Sequence, residues 1–231
     1  MEESKEEKNQ AFVSASRFCD YQEPGIQNLV REIGGRSKGT QEKAVNCFFY
    51  VRDNIVFGMD PWQIKASETL RKGYGMCSNK ALLLVALLRA MGIASRLAWI
   101  PLNRHFLRPA WGFPWTYCLP LTLKHVIAQV MLDQKWIAVD LTLDKTTYER
   151  LYKPAGAKWG IDWNAKDDCL VFKDHLTGQV ASFSDIDEAL LKDAGNWTPP
   201  AFISRPFLKM MNAKTWNKAG VAPSTEKGAT Q

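Results

Sequence analysis

The chain of 231 residues has no apolar run near the roughly 20 residues that cross a bilayer; its longest, around 81–88 and 126–132, stop far short. Its five cysteines, at 19, 47, 77, 118 and 169, are odd in number and widely spaced, with no C-x-x-C pair. A disulfide scaffold and a zinc ribbon are both excluded. Residues 1–8 are mostly charged, with no apolar stretch behind them, so no signal peptide is expected and a reduced, cytoplasmic setting is. Repeats and low-complexity tracts are absent too. What is present is ordinary for a folded domain: 46% apolar and 23% charged residues, enough for a sizeable core.

The net charge of +6 is unevenly placed. Beyond position 200, Arg205, Lys209, Lys214, Lys218 and Lys227 face Glu226 alone. A local tail effect of this kind gives little reason to expect a nucleic-acid or membrane partner, and Phe207 and Trp216 are too few for a base-stacking platform. The organisation expected is a flexible arm at 1–10, one domain at 11–200 and a loose basic tail at 201–231.

Within the domain, Ala44, Val45, Phe48, Val51, Arg52 and Ile55 recur at three- and four-residue steps, which predicts a helix over 41–55 with Thr40 as its cap. Residues 58–76 read as loop, punctuated by Gly58, Pro61, Gly73 and Gly75. A second helix, starting at Cys77 or Ser78 and ended by Gly92, is apolar almost all round and must be buried. A strand over 93–100 follows, then an irregular insert at 101–122 dense in aromatics and prolines. Next comes a hairpin over 125–132 and 135–142, turning at Asp133-Gln134. Short helices are expected near 147–152 and 184–193.

Position singles out Cys77. It follows Gly73-Tyr74-Gly75-Met76 at the first turn of the buried helix. Unpaired N–H groups and the helix dipole favour an anion there, whether a thiolate or a developing oxyanion. The hairpin offers partners. Its turn sets His125 opposite Thr142 and Ile127 opposite Asp140, so His125 and Asp140 share a face as diagonal neighbours about 7–8 Å apart at the backbone. The other face carries Val126, Ala128, Val130, Leu132, Ile137, Val139 and Leu141, an unbroken apolar set. A histidine that exchanges a proton with the thiol, and a carboxylate that orients the imidazole, are what a cysteine nucleophile needs.

From about 41 to 142 the sequence resembles the transglutaminase-like superfamily of papain-type cysteine enzymes. The resemblance rests on Gly73-Tyr74-Gly75-Met76-Cys77, on Leu87-Leu88-Arg89-Ala90-Met91-Gly92-Ile93, on His125 opening its strand, and on Trp136-Ile137-Ala138-Val139-Asp140. It implies an α+β fold in which a central helix bearing Cys77 packs on an antiparallel sheet bearing His125 and Asp140. It also implies Cys77 as nucleophile, His125 as base and Asp140 as orienting residue, with no cofactor or metal. Ile127, Gln129, Leu141 and Asn79 stand where many members have tryptophan, glutamate, proline and aspartate. Substrate identity is therefore not carried over.

The expected chemistry is a cysteine hydrolase or acyltransferase acting on an amide, ester or thioester of a small molecule or peptide. Three alternatives stand beside it: a dedicated amide-forming reaction on the same residues, a binding module that keeps the fold, and a zinc site made of Cys77, His125 and Asp140. The insert reads equally as a cover over an apolar edge and as a wall of a substrate pocket. On the second reading Arg104 and Arg108 would hold a substrate anion, with Trp111 and Trp115 lining the pocket and His105 as a second base. Tyr74 and Trp62, close to Cys77 in sequence, complete the substrate-binding candidates.

Overall fold

The computed structural model describes residues 10–183, 185–192 and 201–223; the ends of the expected arm and tail, 1–9 and 224–231, lie outside the described residues. Helix α1, Pro24–Arg36, carries proline in its first turn and buries Ile26, Leu29 and Ile33. Helix α2, Thr40–Asn54, buries Ala44, Phe48, Val51 and Arg52 of the predicted stripe and Cys47 beside them, while Val45 is half-buried, and Gly39 rather than Thr40 is its cap. Strand β1, Val56–Phe57, leaves α2 almost at once.

Residues 58–76, expected as loop, contain a helix. Helix α3, Ala66–Lys72, ends at Gly73, whose φ of +68° is the left-handed cap that glycine adopts without cost. Strand β2, Tyr74–Gly75, then pairs in parallel with β1. The flanking glycines and Pro61 made this stretch read as loop, and seven residues were too few to show a period.

Helix α4, Cys77–Ala90, is the centre of the molecule. Every side chain from Ser78 to Arg89 is buried. Its five buried leucines, at 82, 83, 84, 87 and 88, each contribute about 1.5–3 kcal/mol of transfer free energy.

The sheet consists of β3, Ser95–Asn103, β4, Thr122–Leu132, β5, Lys135–Val139, and β6, Ala181–Ser182. Its order is β5-β4-β3-β6, antiparallel throughout. The hairpin register is the expected one, Ala128 opposite Val139 and Leu132 opposite Lys135. Asp133 and Gln134 both have positive φ, +48° and +64°, as a two-residue hairpin turn of this hand demands. β5 stops at Val139, so Asp140 and Thr142 lie just beyond the strand.

Both faces of the sheet are covered. Val126, Ala128, Val130, Leu132, Ile137, Val139 and Leu141 pack with α1, α2 and α4 in one core. The opposite face, with Ala98, Ile100, Ile127 and Ala138, is sealed by Phe106, Trp111, Tyr152, Trp159 and Phe172 in a second. The insert thus forms a cover built of short helical turns, Arg104–Leu107, Arg108–Trp111 and Trp115–Cys118.

The expected helices near 147–152 and 184–193 form as a turn at Lys145–Thr147 widening through Tyr148–Tyr152, and as α5, Ile186–Lys192. The stretch expected as a loose tail is helical instead. Helix α6 spans Ala201–Ala219. Its Trp216 indole donates to Phe57 O at 2.9 Å, and Lys214 Nζ to Trp111 O at 2.9 Å. Asn212 accepts from Met59 N at 2.6 Å and donates to Met59 O at 2.9 Å. Scattered lysines and an internal Pro206 hid this helix from sequence reading.

Candidate active site

Two short strands set Cys77. Val56 pairs with Tyr74 and Phe57 with Gly75, so the chain enters α4 along a fixed line. A Cβ on Gly75 would lie 2.8 Å from Asn79 Cβ and 3.2 Å from Thr69 Cγ2, so only glycine allows this approach. Asn79 then closes the entry. Its Oδ1 accepts from Met76 N at 3.0 Å and its Nδ2 donates to Pro61 O at 2.8 Å. An aspartate could accept the first bond but not donate the second. The first hydrogen bond back into the helix comes from Lys80 N to Met76 O at 3.0 Å. The N–H groups of Cys77 and Ser78 therefore have no partner within the helix, while that of Asn79 is capped by the Met76 side chain.

β4 supplies His125, which is 1% exposed. Its Nε2 lies 2.8 Å from Asp140 Oδ2 and 3.4 Å from Thr142 Oγ1. Asp140 Oδ1 accepts from Thr142 N at 3.0 Å, which fixes the carboxylate plane. The strand's continuation is held from outside the hairpin. Cys169 N donates to Ala138 O at 2.9 Å, and Asp140 N to Cys169 O at 2.7 Å. The Cys77 thiol is the other hydrogen-bonding partner of the His125 ring.

Burial alone would push the His125 pKa down, but the opposed Asp140 carboxylate and Cys77 sulfur, with their hydrogen bonds, raise it to about 10. Such an imidazole keeps its proton at neutral pH, the form that pairs with a thiolate. Cys77 is only half-buried. Cys19, Cys47 and Cys169 are buried, and burial pushes each of their thiols up to about 12. Cys118 is exposed.

A profile of the transglutaminase-like superfamily matches residues 27–141. That segment is a transglutaminase-like domain. It contains Cys77, His125 and Asp140, and the α+β, papain-type architecture agrees with it. No curated protein matches the chain in sequence. Among solved structures, a candidate cysteine protease from Cytophaga hutchinsonii is similar at 20% identity and a TM-score of 0.44, over 74% of this chain and 52% of that one. A candidate protease from Parabacteroides distasonis is similar at 16% identity and 0.38, over 58% and 30%. Red sea bream transglutaminase is similar at 12% identity and 0.46, over 94% and 47%. The chain spans from about a third to about half of the length of these structures.

The transglutaminase-like domain brings Cys77, His125 and Asp140 into one row, with the imidazole in the middle. Among the described residues, no three metal-ligating side chains are gathered round one point, so the zinc arrangement is not formed. Most of the substrate-binding candidates are packed or hydrogen-bonded within the fold. Trp111 is 1% exposed and packs within the second core. Arg104 Nη1 donates to the carbonyls of Tyr117 and Leu119 at 3.2 and 2.6 Å, inside its own insert. Trp115 packs on Phe207, with ring centroids 6.0 Å apart. Tyr74 meets Trp216 edge-on at 5.3 Å, and Trp62 packs against the helical core. Arg108 is exposed at the surface, and His105 packs edge-on against Tyr117.

Sequence reading missed the walls of the site. Phe106 and Phe172 meet the His125 ring edge-on at 5.7 and 5.4 Å. Phe172 sits at φ +62°, a left-handed conformation that a bulky residue holds only when its surroundings dictate it. No local signal reveals it, since it lies 47 positions beyond His125 in a stretch without periodicity. Thr142 was placed opposite His125, but its contact with the ring was not foreseen.

Proposed function

We propose that the chain is a cysteine enzyme of acyl transfer, breaking an amide, ester or thioester bond of a small molecule or peptide through an acyl-enzyme on Cys77. One observation carries this reading: a half-buried thiol at a helix start and a buried carboxylate share one imidazole that keeps its proton at neutral pH.

Each part then has a task. The Cys77 thiolate adds to the substrate carbonyl, and the carbonyl π electrons move onto oxygen. The N–H groups of Cys77 and Ser78 at the start of α4, that of Cys77 first, stabilise that oxyanion. Collapse of the tetrahedral species breaks the bond to the leaving group, which takes its proton from His125 and departs. Water or an amine enters next. His125 accepts its proton, the thioester bond to Cys77 breaks, and the thiolate–imidazolium pair is restored. Asp140 holds the ring orientation throughout and stabilises the imidazolium. The aromatic wall of Phe106 and Phe172 keeps water from the imidazole, which strengthens its electrostatics.

The test is intact-protein mass spectrometry after mixing with a panel of small amides, esters and thioesters, for the wild type and Cys77→Ala. A mass increase equal to the acyl group, mapped to Cys77 and absent from the variant, is expected with at least one class. Its decay in water, or faster decay with added amine, separates hydrolase from acyltransferase and from amide-forming enzyme. A Cys77 that acquires no acyl group from any class, and a variant that binds the same compounds equally well, would make the chain a binding module.

A further inference from the structure

One titratable group beside the site has no part in the chemistry above. Lys80 is 0% exposed, at the end of the first turn of α4, three residues after Cys77. A buried ammonium costs several kcal/mol unless it is paired, and a methionine would fill the same space without that cost. Yet its Nζ makes no hydrogen bond to a carboxylate. It donates to two main-chain carbonyls, Ile55 O at 2.6 Å and Arg52 O at 3.3 Å. Those carbonyls close α2, where the helix dipole presents its negative end.

The segment receiving Lys80 is also the one that joins the parts of the site. Just beyond Ile55, Val56 N donates to Gly73 O at 2.9 Å and Gly58 N to Gly75 O at 3.1 Å, which fixes the glycine turn before Cys77. Phe57 N donates to Asp144 Oδ2 at 2.9 Å. Asp144, buried four residues after Asp140, also accepts from Thr147 N and Thr147 Oγ1 at 2.8 and 2.7 Å. A single stretch, 52–58, therefore ties the nucleophile's helix to the loop that carries the carboxylate of the row.

We propose that Lys80 is a positioning residue of the acyl-transfer site: clamped on the carbonyls of Arg52 and Ile55, its ammonium locks the Cys77 helix, through the 52–58 stretch, to the Asp140–Asp144 loop. This rests on the acyl-transfer reading and extends it to how the row is held in place. The charged groups facing Lys80 are Asp144, Asp53 and Asp140, which favour its proton, and Arg52, which opposes it. Burial pushes Lys80 itself down to about 8, so the charge that performs this task is lost just above neutral pH.

The test is the rate of Cys77 alkylation by iodoacetamide from about pH 5 to about pH 10, read at the peptide level for wild type, Lys80→Met, Lys80→Gln and His125→Ala. Exposed Cys118 is the internal reference. Circular dichroism at neutral pH establishes that each variant is folded. In both Lys80 variants the acid limb of the profile is expected to move up by about one pH unit, the effect of one unit charge at short range in a protein interior. The difference from wild type should vanish above about pH 8, where the wild-type lysine is neutral as well. A merely packing or hydrogen-bonding role would not move the acid limb, and glutamine would then restore the wild-type profile. Superimposable profiles for wild type and either folded Lys80 variant, or failure of both variants to fold, would overturn the proposal. A wild-type Cys77 that reacts no faster than Cys118 and is indifferent to His125→Ala would instead overturn the acyl-transfer reading beneath it.

Discussion

The two faces of the sheet are packed in different ways. Toward α4 the contacts are aliphatic and regular: the helix with its five leucines shares one core with the alternate residues of β4 and β5. Toward the insert and the C-terminal segments they are aromatic and irregular. Phe106, Tyr152, Trp159 and Phe172 come from turns and loops spread over 67 positions, and His125 stands among them. The first face needs only to exclude water and fill space. The second must also keep an imidazole dry and in one orientation between a thiol and a carboxylate, and rigid rings reaching in from several segments meet that need.

Paired truncations would sharpen the contrast. Leu84→Ala, in the aliphatic layer, is expected to cost about 3 kcal/mol in urea denaturation, from lost transfer energy and the cavity left behind. The pH profile of Cys77 alkylation should not move. Phe172→Ala is expected to cost about as much and also to slow alkylation at least tenfold at neutral pH, since the His125 ring loses one of its walls. Equal effects of the two substitutions on Cys77 would break the distinction.

A second test uses pH. His125 binds its proton more tightly in the fold than in the unfolded chain, with a pKa of about 10 against an ordinary 6.5. Its stabilising contribution is therefore complete below about pH 6.5 and fades as pH rises toward 10. Wild type should lose at least about 1 kcal/mol relative to His125→Leu across that window, read from chemical denaturation at successive pH values. Lys80 works in the opposite sense. Burial lowers its pKa from 10.5 to about 8, so its destabilising cost is full below pH 8 and is relieved as pH rises toward 10.5. Lys80→Met is accordingly expected to match or exceed the wild-type melting temperature at neutral pH. A lower melting temperature would mean that the ammonium stabilises the fold.

The smallest effect is expected at the rim of the aromatic layer. Phe113 is 73% exposed and meets Tyr117 edge-on at 5.4 Å, outside the second core. Phe113→Ser should change stability by no more than about 0.5 kcal/mol and leave alkylation unaltered. A larger change in alkylation would extend the functional wall to this surface.

The aliphatic layer was legible because it repeats. The helical period of 41–55, the apolar run after Cys77 and the alternation over 126–141 each reveal an element and the side it buries. With the two-residue turn at Asp133-Gln134 they also give the register that sets His125 and Asp140 on one face. The aromatic layer does not repeat. Phe172 and Cys169, which close on His125 and Asp140, come from a segment with no regular element to predict. The candidates near the site in sequence, Arg104, Trp111 and Trp115 among them, read as ligand-facing because their side chains suit a ligand equally well. Arg104 instead ties the insert together, and the two tryptophans pack it down. Lys80 was not singled out for a related reason. The helix was read as buried, but its sequence does not show which distant carbonyls receive the ammonium.

The claim that Cys77 and His125 act as one unit is tested most directly by the pH dependence of iodoacetamide alkylation at Cys77, in wild type and in His125→Ala. Fast reaction of the wild type below pH 7, lost by a factor of about 100 on removal of the imidazole, is the expected result. A Cys77 that titrates near the ordinary thiol value of about 8.5, or stays protected, with the same profile in both proteins, would contradict it.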